Sequence, residues 1–367
     1  MPASLYSYNE YNHAVIMKAV LGLEDGSVFR GNGFGPEGDT TGELIVNFAS
    51  NGYVSTLSDP AVSGQIVTFS SPLVGNYGAS SDELESDSIH AAGVVVHELC
   101  QTPKRQPLLE TFFEEHGVMG VSGIDTRMIT RHLRECGTMR AALITGSDDG
   151  EAAVSLAKKA PTTETRDFVS QVTCKAPYRI KGDGKKIAVL DLGCRKSALK
   201  SLSRRGADLC VYPYGTTAKE ILAEKPAALF VTDGPGFPKT AEKAVSTVKD
   251  LLGTIPVQGV SLGCGVIAAA FGAEFEKLKL GHRSPAEPVR FADGTVTVTF
   301  QNHGYAICKD TLPEGCSLLA CSANDKTPEG FENSDLGVYA VQFLPEHDGV
   351  YDGAEKPIYD IMYRQIV

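Results

Sequence analysis

The sequence predicts an α/β protein of two domains, and three observations support this prediction. The chain has 367 residues, which is enough for two hydrophobic cores. Residues 17–162 alternate short apolar runs with turn residues, a pattern typical of strands joined by tight turns. From residue 185 to residue 367, strand and helix patterns alternate, which predicts a parallel sheet covered by helices. Residues 163–184 have no clear period and end in Lys-Gly-Asp-Gly, so we interpret them as a linker.

The first domain is predicted to be mixed α/β. Its strand-like runs are residues 19–23, 41–48, 65–69 and 93–97, and its helix-like runs are residues 108–116 and 126–136. The second helix has Asp125 at the N-cap position and Gly137 just past its end, where a left-handed residue is common. Residues 1–16 lack the apolar core of a signal peptide and the arginine-rich character of a transit peptide. We interpret them as an N-terminal extension.

The second domain is predicted to carry its chemistry at the ends of its strands. The predicted strands are residues 186–191, 207–211, 227–232 and 257–260, and the predicted helices are residues 196–205, 218–225, 241–252 and 266–271. In a parallel sheet, functional loops follow the carboxyl ends of the strands, which directs attention to residues 234–236 and to Ser261. Gly259-Val260-Ser261-Leu262-Gly263 matches the nucleophile-elbow pattern Gly-x-Ser-x-Gly. Alone, it is compatible with a serine hydrolase or with a glycine-rich structural turn.

Composition excludes several classes of function. A net charge of −11 argues against nucleic-acid and anionic-membrane partners, and no apolar run approaches the roughly 18 residues of a membrane span. The nine cysteines include no Cys-x-x-Cys pair, which favours reduced thiols in the cytoplasm over disulfides or a zinc site. No phosphate-binding loop of the Gly-x-x-x-x-Gly-Lys-[Ser/Thr] type occurs. We therefore expect no cofactor and no metal on this chain.

Four motifs of the second domain stand in the order found in class I glutamine amidotransferases. They are Gly234-Pro235-Gly236, the elbow at Ser261, Gln301-Asn302-His303-Gly304-Tyr305, and Ala340-Val341-Gln342-Phe343-Leu344-Pro345-Glu346. The first domain resembles the N-terminal domain of the carbamoyl-phosphate synthetase small subunit. The matching stretches include residues 64–68, 72–78 and 123–127. The resemblance covers nearly the whole chain after Met17. It implies a flavodoxin-like parallel sheet in the second domain, and it implies that the partner is a large synthetase subunit.

The resemblance also implies a site, which this chain alters. In the family, an elbow cysteine attacks the glutamine amide, a histidine removes its proton, and a glutamate orients that histidine. By position, Ser261 replaces the cysteine, Leu344 replaces the histidine, and Glu346 is the glutamate. The positions implied to contact substrate are Ala49, Gly234, Gly236, Leu262, Gly265, Asn302, Gly304 and Tyr305. Among these, Ala49 stands where the family has a serine, and Gly265 where it has a glutamine.

These departures predict that the chain does not hydrolyse glutamine. A serine hydroxyl needs a neighbouring base, and Leu344 cannot accept a proton. Cys264 should point away from the site as a buried thiol, and His347 is expected to be a surface-loop residue. His303 belongs to a motif that active members also carry, and His282 and Arg283 are expected to have structural or subunit-contact roles.

The leading hypothesis is a small subunit that supports carbamoyl phosphate synthesis from free ammonia, with ATP and metal bound on the large subunit. A non-catalytic scaffold or regulator outside that reaction is the alternative. A hydrolase based on Ser261 is a third possibility. The sequence leaves a higher oligomer open.

Overall fold

The computed structural model describes residues 17–345, which form a closed β-barrel followed by a ten-stranded sheet. The predicted extension, residues 1–16, lies outside the described residues, as do Glu346 and His347. Within the described part, no helix is long and apolar enough to cross a membrane.

The first domain is built on a barrel of seven strands. Its elements are β1 (Lys18–Leu23), β2 (Val28–Phe34), β3 (Gly38–Asn47), α1 (Tyr53–Ser58), β4 (Gln65–Phe69), β5 (Leu73–Val74), β6 (Gly93–Val95), β7 (Glu98–Leu99), α2 (Leu109–Glu115), β8 (Gly120–Ser122), α3 (Thr126–Cys136), β9 (Met139–Thr145) and α4 (Gly150–Lys159). The barrel order is β1-β2-β8-β6-β4-β3-β9, and β5 pairs only with β7. All four predicted strands and both predicted helices are present. Closure leaves the barrel without an unpaired edge.

Helix α3 begins and ends where its capping residues predict. The Asp125 carboxylate accepts a hydrogen bond from the Met128 N–H at 2.9 Å. Gly137 follows the helix with φ +92°, a value that favours glycine, although its ψ of 165° lies outside the left-handed helical region. Its N–H donates to the Leu133 carbonyl at 2.8 Å, so the last turn is closed as expected.

The second domain is a ten-stranded sheet with a parallel centre. Its elements are α5 (Val169–Val172), β10 (Tyr178–Ile180), β11 (Lys186–Asp191), α6 (Lys196–Arg204), β12 (Asp208–Pro213), α7 (Ala218–Ala223), β13 (Ala228–Val231), α8 (Glu242–Leu251), β14 (Val257–Val260), α9 (Leu262–Ala270), β15 (Phe275–Phe291), β16 (Val296–Ile307), β17 (Ser317–Ser322), β18 (Pro328–Asn333) and β19 (Val338–Val341). The strand order is β10-β12-β11-β13-β14-β19-β18-β17-β15-β16, of which β12, β11, β13, β14 and β19 are parallel. Both faces of this centre are covered by apolar clusters. The predicted α/β class is confirmed.

Two details of the second domain differ from the sequence expectation. Helix α9 begins at Leu262, directly after Ser261, whereas the apolar pattern placed its start at residue 266. Its first turn contains two glycines, and close packing on the sheet holds that turn in helical form despite their low helix propensity. Within the predicted linker, β10 pairs antiparallel with β12, so residues 178–180 extend the second sheet.

The two domains are joined by backbone and side-chain contacts from the first domain to β15 and β16. The Phe48 N–H donates to the Arg283 carbonyl at 3.1 Å, and the Thr138 N–H donates to the Lys279 carbonyl at 2.7 Å. Asn302 donates from Nδ2 to Asp59 Oδ2 at 3.3 Å. The docking brings β3 of the barrel against the strands that follow the elbow.

Candidate active site

Ser261, at the predicted nucleophile position, lies at a sharp turn between a strand and a helix. Ser261 lies between β14 and α9 with φ +49° and ψ −115°, a strained conformation for a residue with a side chain. A Cβ at Gly263 would lie 2.2 Å from the Val231 carbonyl oxygen, and one at Gly259 would lie 2.6 Å from Ile267 Cδ1. Glycine is therefore required on both sides of the turn. The requirement at Gly263 comes from the carbonyl of the neighbouring strand β13, so it depends on the tertiary structure as well as on the local sequence.

Helix α9 presents its N-terminus at the same place. Gly265 donates its N–H to the Ser261 carbonyl at 3.2 Å, which closes the first turn, and the Ser261 side chain does not cap the helix. The first N–H groups of a helix have no intrahelical partner and carry a partial positive charge. Leu262, the first residue of this helix, lines the cavity together with Ser261, and its role as an oxyanion donor stays a prediction.

The base position holds an apolar side chain. Leu344 is 2% exposed, and its N–H donates to the Phe300 carbonyl at 2.9 Å. Among residues 17–345, none forms a hydrogen bond with the Ser261 hydroxyl, which therefore has no proton acceptor from this part of the chain. Glu346, the predicted orienting carboxylate, and His347, the predicted surface-loop histidine, lie outside the described residues.

The two histidines near the elbow are committed to other partners. His303 donates from Nδ1 to the Tyr305 carbonyl at 2.9 Å, and its Nε2 lies 3.1 Å from Gln301 Oε1. His282 donates to two carboxylates, those of Glu329 and Asp325, each at 2.8 Å. Neither ring is placed as a base for Ser261.

The thiol of Cys264 also fails as a replacement nucleophile. It is fully buried one turn into α9. Burial, with a contribution from the negative charge of Glu329, raises the pKa of this thiol well above its ordinary value. A protonated, inaccessible thiol is inert, in agreement with the sequence expectation.

Six of the eight predicted substrate positions share one cavity with Ser261. They are Gly234, Gly236, Leu262, Asn302, Gly304 and Tyr305. The cavity measures about 40 Å³, room for roughly three water molecules. Ala49 and Gly265 are not among its lining residues. Whether these positions bind a substrate stays a prediction.

Gly265, a predicted substrate position, packs against Pro238, which itself lines the cavity. A Cβ at Gly265 would lie 2.6 Å from the Pro238 Cγ and 3.1 Å from its Cβ. The ring of Pro238 therefore occupies the space where the side chain of a glutamine would begin. The glycine and the neighbouring proline form one packed arrangement, and a larger residue at 265 requires the loop before α8 to move.

Charged groups that the sequence did not single out line the domain boundary of the cavity. Glu43 on β3 pairs with the Lys277 ammonium on β15 at 2.8 Å and accepts from the Thr138 hydroxyl at 2.5 Å. Tyr305 donates its hydroxyl to Glu164 at 2.7 Å. Burial would lower the pKa of Lys277, but Glu43 and Glu164 outweigh it and raise that pKa. No local sequence signal could reveal this network, because its members come from both domains.

One cluster has the residue types of a metal site but the bonding of an ion pair. Single ligand atoms from His282, His303 and Glu329 lie within 4.8 Å of one another. Both nitrogens of His282 already donate to carboxylates. Burial would lower the pKa of His282, but Glu329 and Asp325 outweigh it and raise the pKa to about 9. In this structure His282 is therefore bonded as the cation of an ion pair with Glu329 and Asp325.

Comparisons with known proteins agree with this architecture. The family model described as carbamoyl-phosphate synthase small chain, CPSase domain, matches residues 21–143, and the model described as glutamine amidotransferase class-I matches residues 188–358. A carbamoyl phosphate synthase small chain of Methanosarcina acetivorans is 46% identical over 345 residues, covering 90% of this chain and 94% of that protein. The chain belongs to the carbamoyl phosphate synthase small-chain family.

Other members of the family align over a similar range. Small chains from Syntrophotalea carbinolica and Bacillus cereus are 36% and 39% identical, covering 91% and 90% of this chain and 96% and 91% of those proteins. A solved structure from Thermoplasma acidophilum, described as part of a GMP synthase, gives a TM-score of 0.42 at 22% identity. It covers 50% of this chain and 92% of that one, and its likeness is too low to support an argument. Family membership confirms the resemblance first based on the motifs.

Proposed function

We propose that this chain is a carbamoyl phosphate synthase small subunit whose own glutaminase site is inactive, and that it supports ammonia-dependent synthesis by a large subunit. The proposal rests on the buried Leu344 at the predicted base position and on a Ser261 hydroxyl without a proton acceptor among residues 17–345. Loss of a triad base typically removes most of a roughly million-fold acceleration. The remaining oxyanion donor does not supply a nucleophile.

Packing beside the cavity supports the same proposal. The position that grips glutamine in the family is Gly265, which is packed against Pro238. Binding and chemistry are therefore both impaired, and restoring one without the other is not expected to restore turnover.

In this proposal the small subunit carries no cofactor, and ATP and metal bind to the large subunit in the cytoplasm. The first domain supplies the surface for that partner. A non-catalytic scaffold outside carbamoyl phosphate synthesis is the second candidate, and the losses at Ala49 and Gly265 favour it. A native pull-down separates the two, because only the first requires co-purification of a large ATP-binding subunit.

Ammonia release from glutamine tests the proposal directly. We expect no release above background from the purified chain, alone or with a large subunit, while a class I amidotransferase of known activity serves as the positive control. The Ser261→Cys/Leu344→His double variant is expected to stay inactive, because Gly265 still cannot hold the substrate. Turnover by the natural chain that is abolished in Ser261→Ala would overturn the proposal and support a serine-based hydrolase.

A further inference from the structure

Arg283 is a buried cation whose side chain lacks a partner. It is 3% exposed, and its guanidinium forms no hydrogen bond or ion pair with any residue from 17 to 345. Its Nε is fully enclosed and unsatisfied. Burying an unpaired charge costs several kcal/mol by solvation. Such a group points to a missing anion.

The nearest carboxylate is already occupied. The negative charge of Glu43 acts on Arg283, but the two do not approach to ion-pair distance. One carboxylate oxygen of Glu43 pairs with the Lys277 ammonium and accepts a hydrogen bond from the Thr138 hydroxyl. The other oxygen accepts a hydrogen bond from the Thr163 hydroxyl at 3.2 Å. Its acceptor capacity is largely used, so Glu43 does not supply the partner that Arg283 lacks.

The guanidinium faces the cavity beside the elbow. Arg283 lines this cavity together with Ser261 and Leu262. A Cβ at Gly304 would lie 2.9 Å from Arg283 Nη2, and one at Gly281 would lie 2.7 Å from Nη1, so glycines let the guanidinium lie flat against the backbone. The uncapped N-terminus of the nine-residue helix α9 contributes a second positive wall.

We infer that this cavity binds a small trigonal oxyanion, held by the Arg283 guanidinium and the N-terminus of α9. A planar guanidinium offers two parallel N–H donors that match the two oxygens of a carboxylate or carbonate group. A cavity of about 40 Å³ suits an anion of a few heavy atoms, such as formate, acetate or bicarbonate. The former amide-hydrolysis pocket thus becomes an anion receptor.

Titration of the full-length chain with sodium formate, acetate or bicarbonate tests the inference, with sodium chloride at equal ionic strength as the control. Binding is followed by calorimetry and by the thermal midpoint. We expect saturable binding of at least one trigonal anion and none of chloride. Tightest binding of bicarbonate identifies a carbonate ligand, and tightest binding of formate or acetate identifies a carboxylate. Absence of saturable binding by all three anions overturns the inference.

Variants on β15 separate a ligand site from a structural arginine. Arg283→Met is expected to weaken anion binding by at least about tenfold while the midpoint without anion stays equal or rises. Arg290→Met, at an exposed position of the same strand, should bind as the natural chain does. If Arg283→Met does not fold, Arg283→Lys takes its place. This variant keeps the positive charge but lacks the two parallel N–H donors, so it is expected to weaken anion binding. Unchanged binding in either folded Arg283 variant contradicts the inference.

The inference rests on the proposed loss of glutamine hydrolysis, yet the two can fail separately. Ammonia release tests the proposed function, and anion binding tests the ligand. If the chain has no glutaminase activity and binds none of the three anions, the proposed function stands and the anion-binding inference is contradicted.

Discussion

His282 should make the folded chain lose stability as the pH rises above neutrality. Its imidazolium lies between the carboxylates of Glu329 and Asp325, both at 2.8 Å, and Glu329 is fully buried. These two charges raise the pKa of His282 from 6.5 to about 9 in spite of burial. The proton therefore binds more tightly in the folded chain than in the unfolded chain.

The sign and size of the effect follow from this shift. Protonated His282 stabilises the fold fully below about pH 6.5, where the imidazole is protonated in both the folded and the unfolded chain. This stabilisation is lost as the pH rises through about 9. At about 1.36 kcal/mol per unit, the shift corresponds to about 3 kcal/mol. The lowered pKa values of Asp325 and Glu329 act in acid, where their protonation removes the same contacts.

Urea denaturation at pH 6.0, 7.5 and 9.5 measures this linkage, followed by circular dichroism because the chain has no tryptophan. The natural chain should have a higher free energy of unfolding than His282→Gln, and this difference should fall by about 3 kcal/mol between pH 6.0 and pH 9.5. His132→Gln removes a partly exposed histidine paired with one carboxylate, Asp25, and serves as the control for losing a solvent-screened pair. A difference in free energy of unfolding that stays constant across this pH range would refute the reasoning.

Three further substitutions test the packing around the cavity and the helix cap. Gly265→Gln should destabilise the fold by about 1–3 kcal/mol in urea denaturation, since its Cβ would meet Pro238; wild-type stability would contradict the tight contact between these two residues. Lys277→Met should lower the free energy of unfolding by about 2 kcal/mol, because Glu43 stays buried without its cation. The loss is smaller than for a fully enclosed pair, since the Lys277 side chain is 37% exposed. Asp125→Ala should cost about 1 kcal/mol by removing the N-cap of α3, and an unchanged urea midpoint would argue against that cap.

Much of the architecture could be predicted from local patterns. Alternating strands and helices located the parallel centre of the second domain, and Gly-x-Ser-x-Gly located the elbow. The start of α9 was misplaced because Gly263 and Gly265 lower intrinsic helix propensity, while contacts with the sheet enforce the helix. Barrel closure was not predicted either, since the pairing of β1 with β9 joins distant segments.

The proposed loss of glutaminase activity rests on residue identity, which is the same in any conformation. The side chain of Leu344 has no atom that can accept a proton, and a serine at 261 has no thiolate, so this prediction required no coordinates. The glycines at 259 and 263 located the sharp turn in the sequence, whereas the close contact of Gly263 with the Val231 carbonyl belongs to the tertiary structure. Tertiary structure alone decided that Pro238 fills the space beside Gly265 and that Arg283 lies buried without a partner among residues 17–345. Those properties depend on contacts between residues that are far apart in the sequence. The apolar periodicity of a sequence does not specify such contacts.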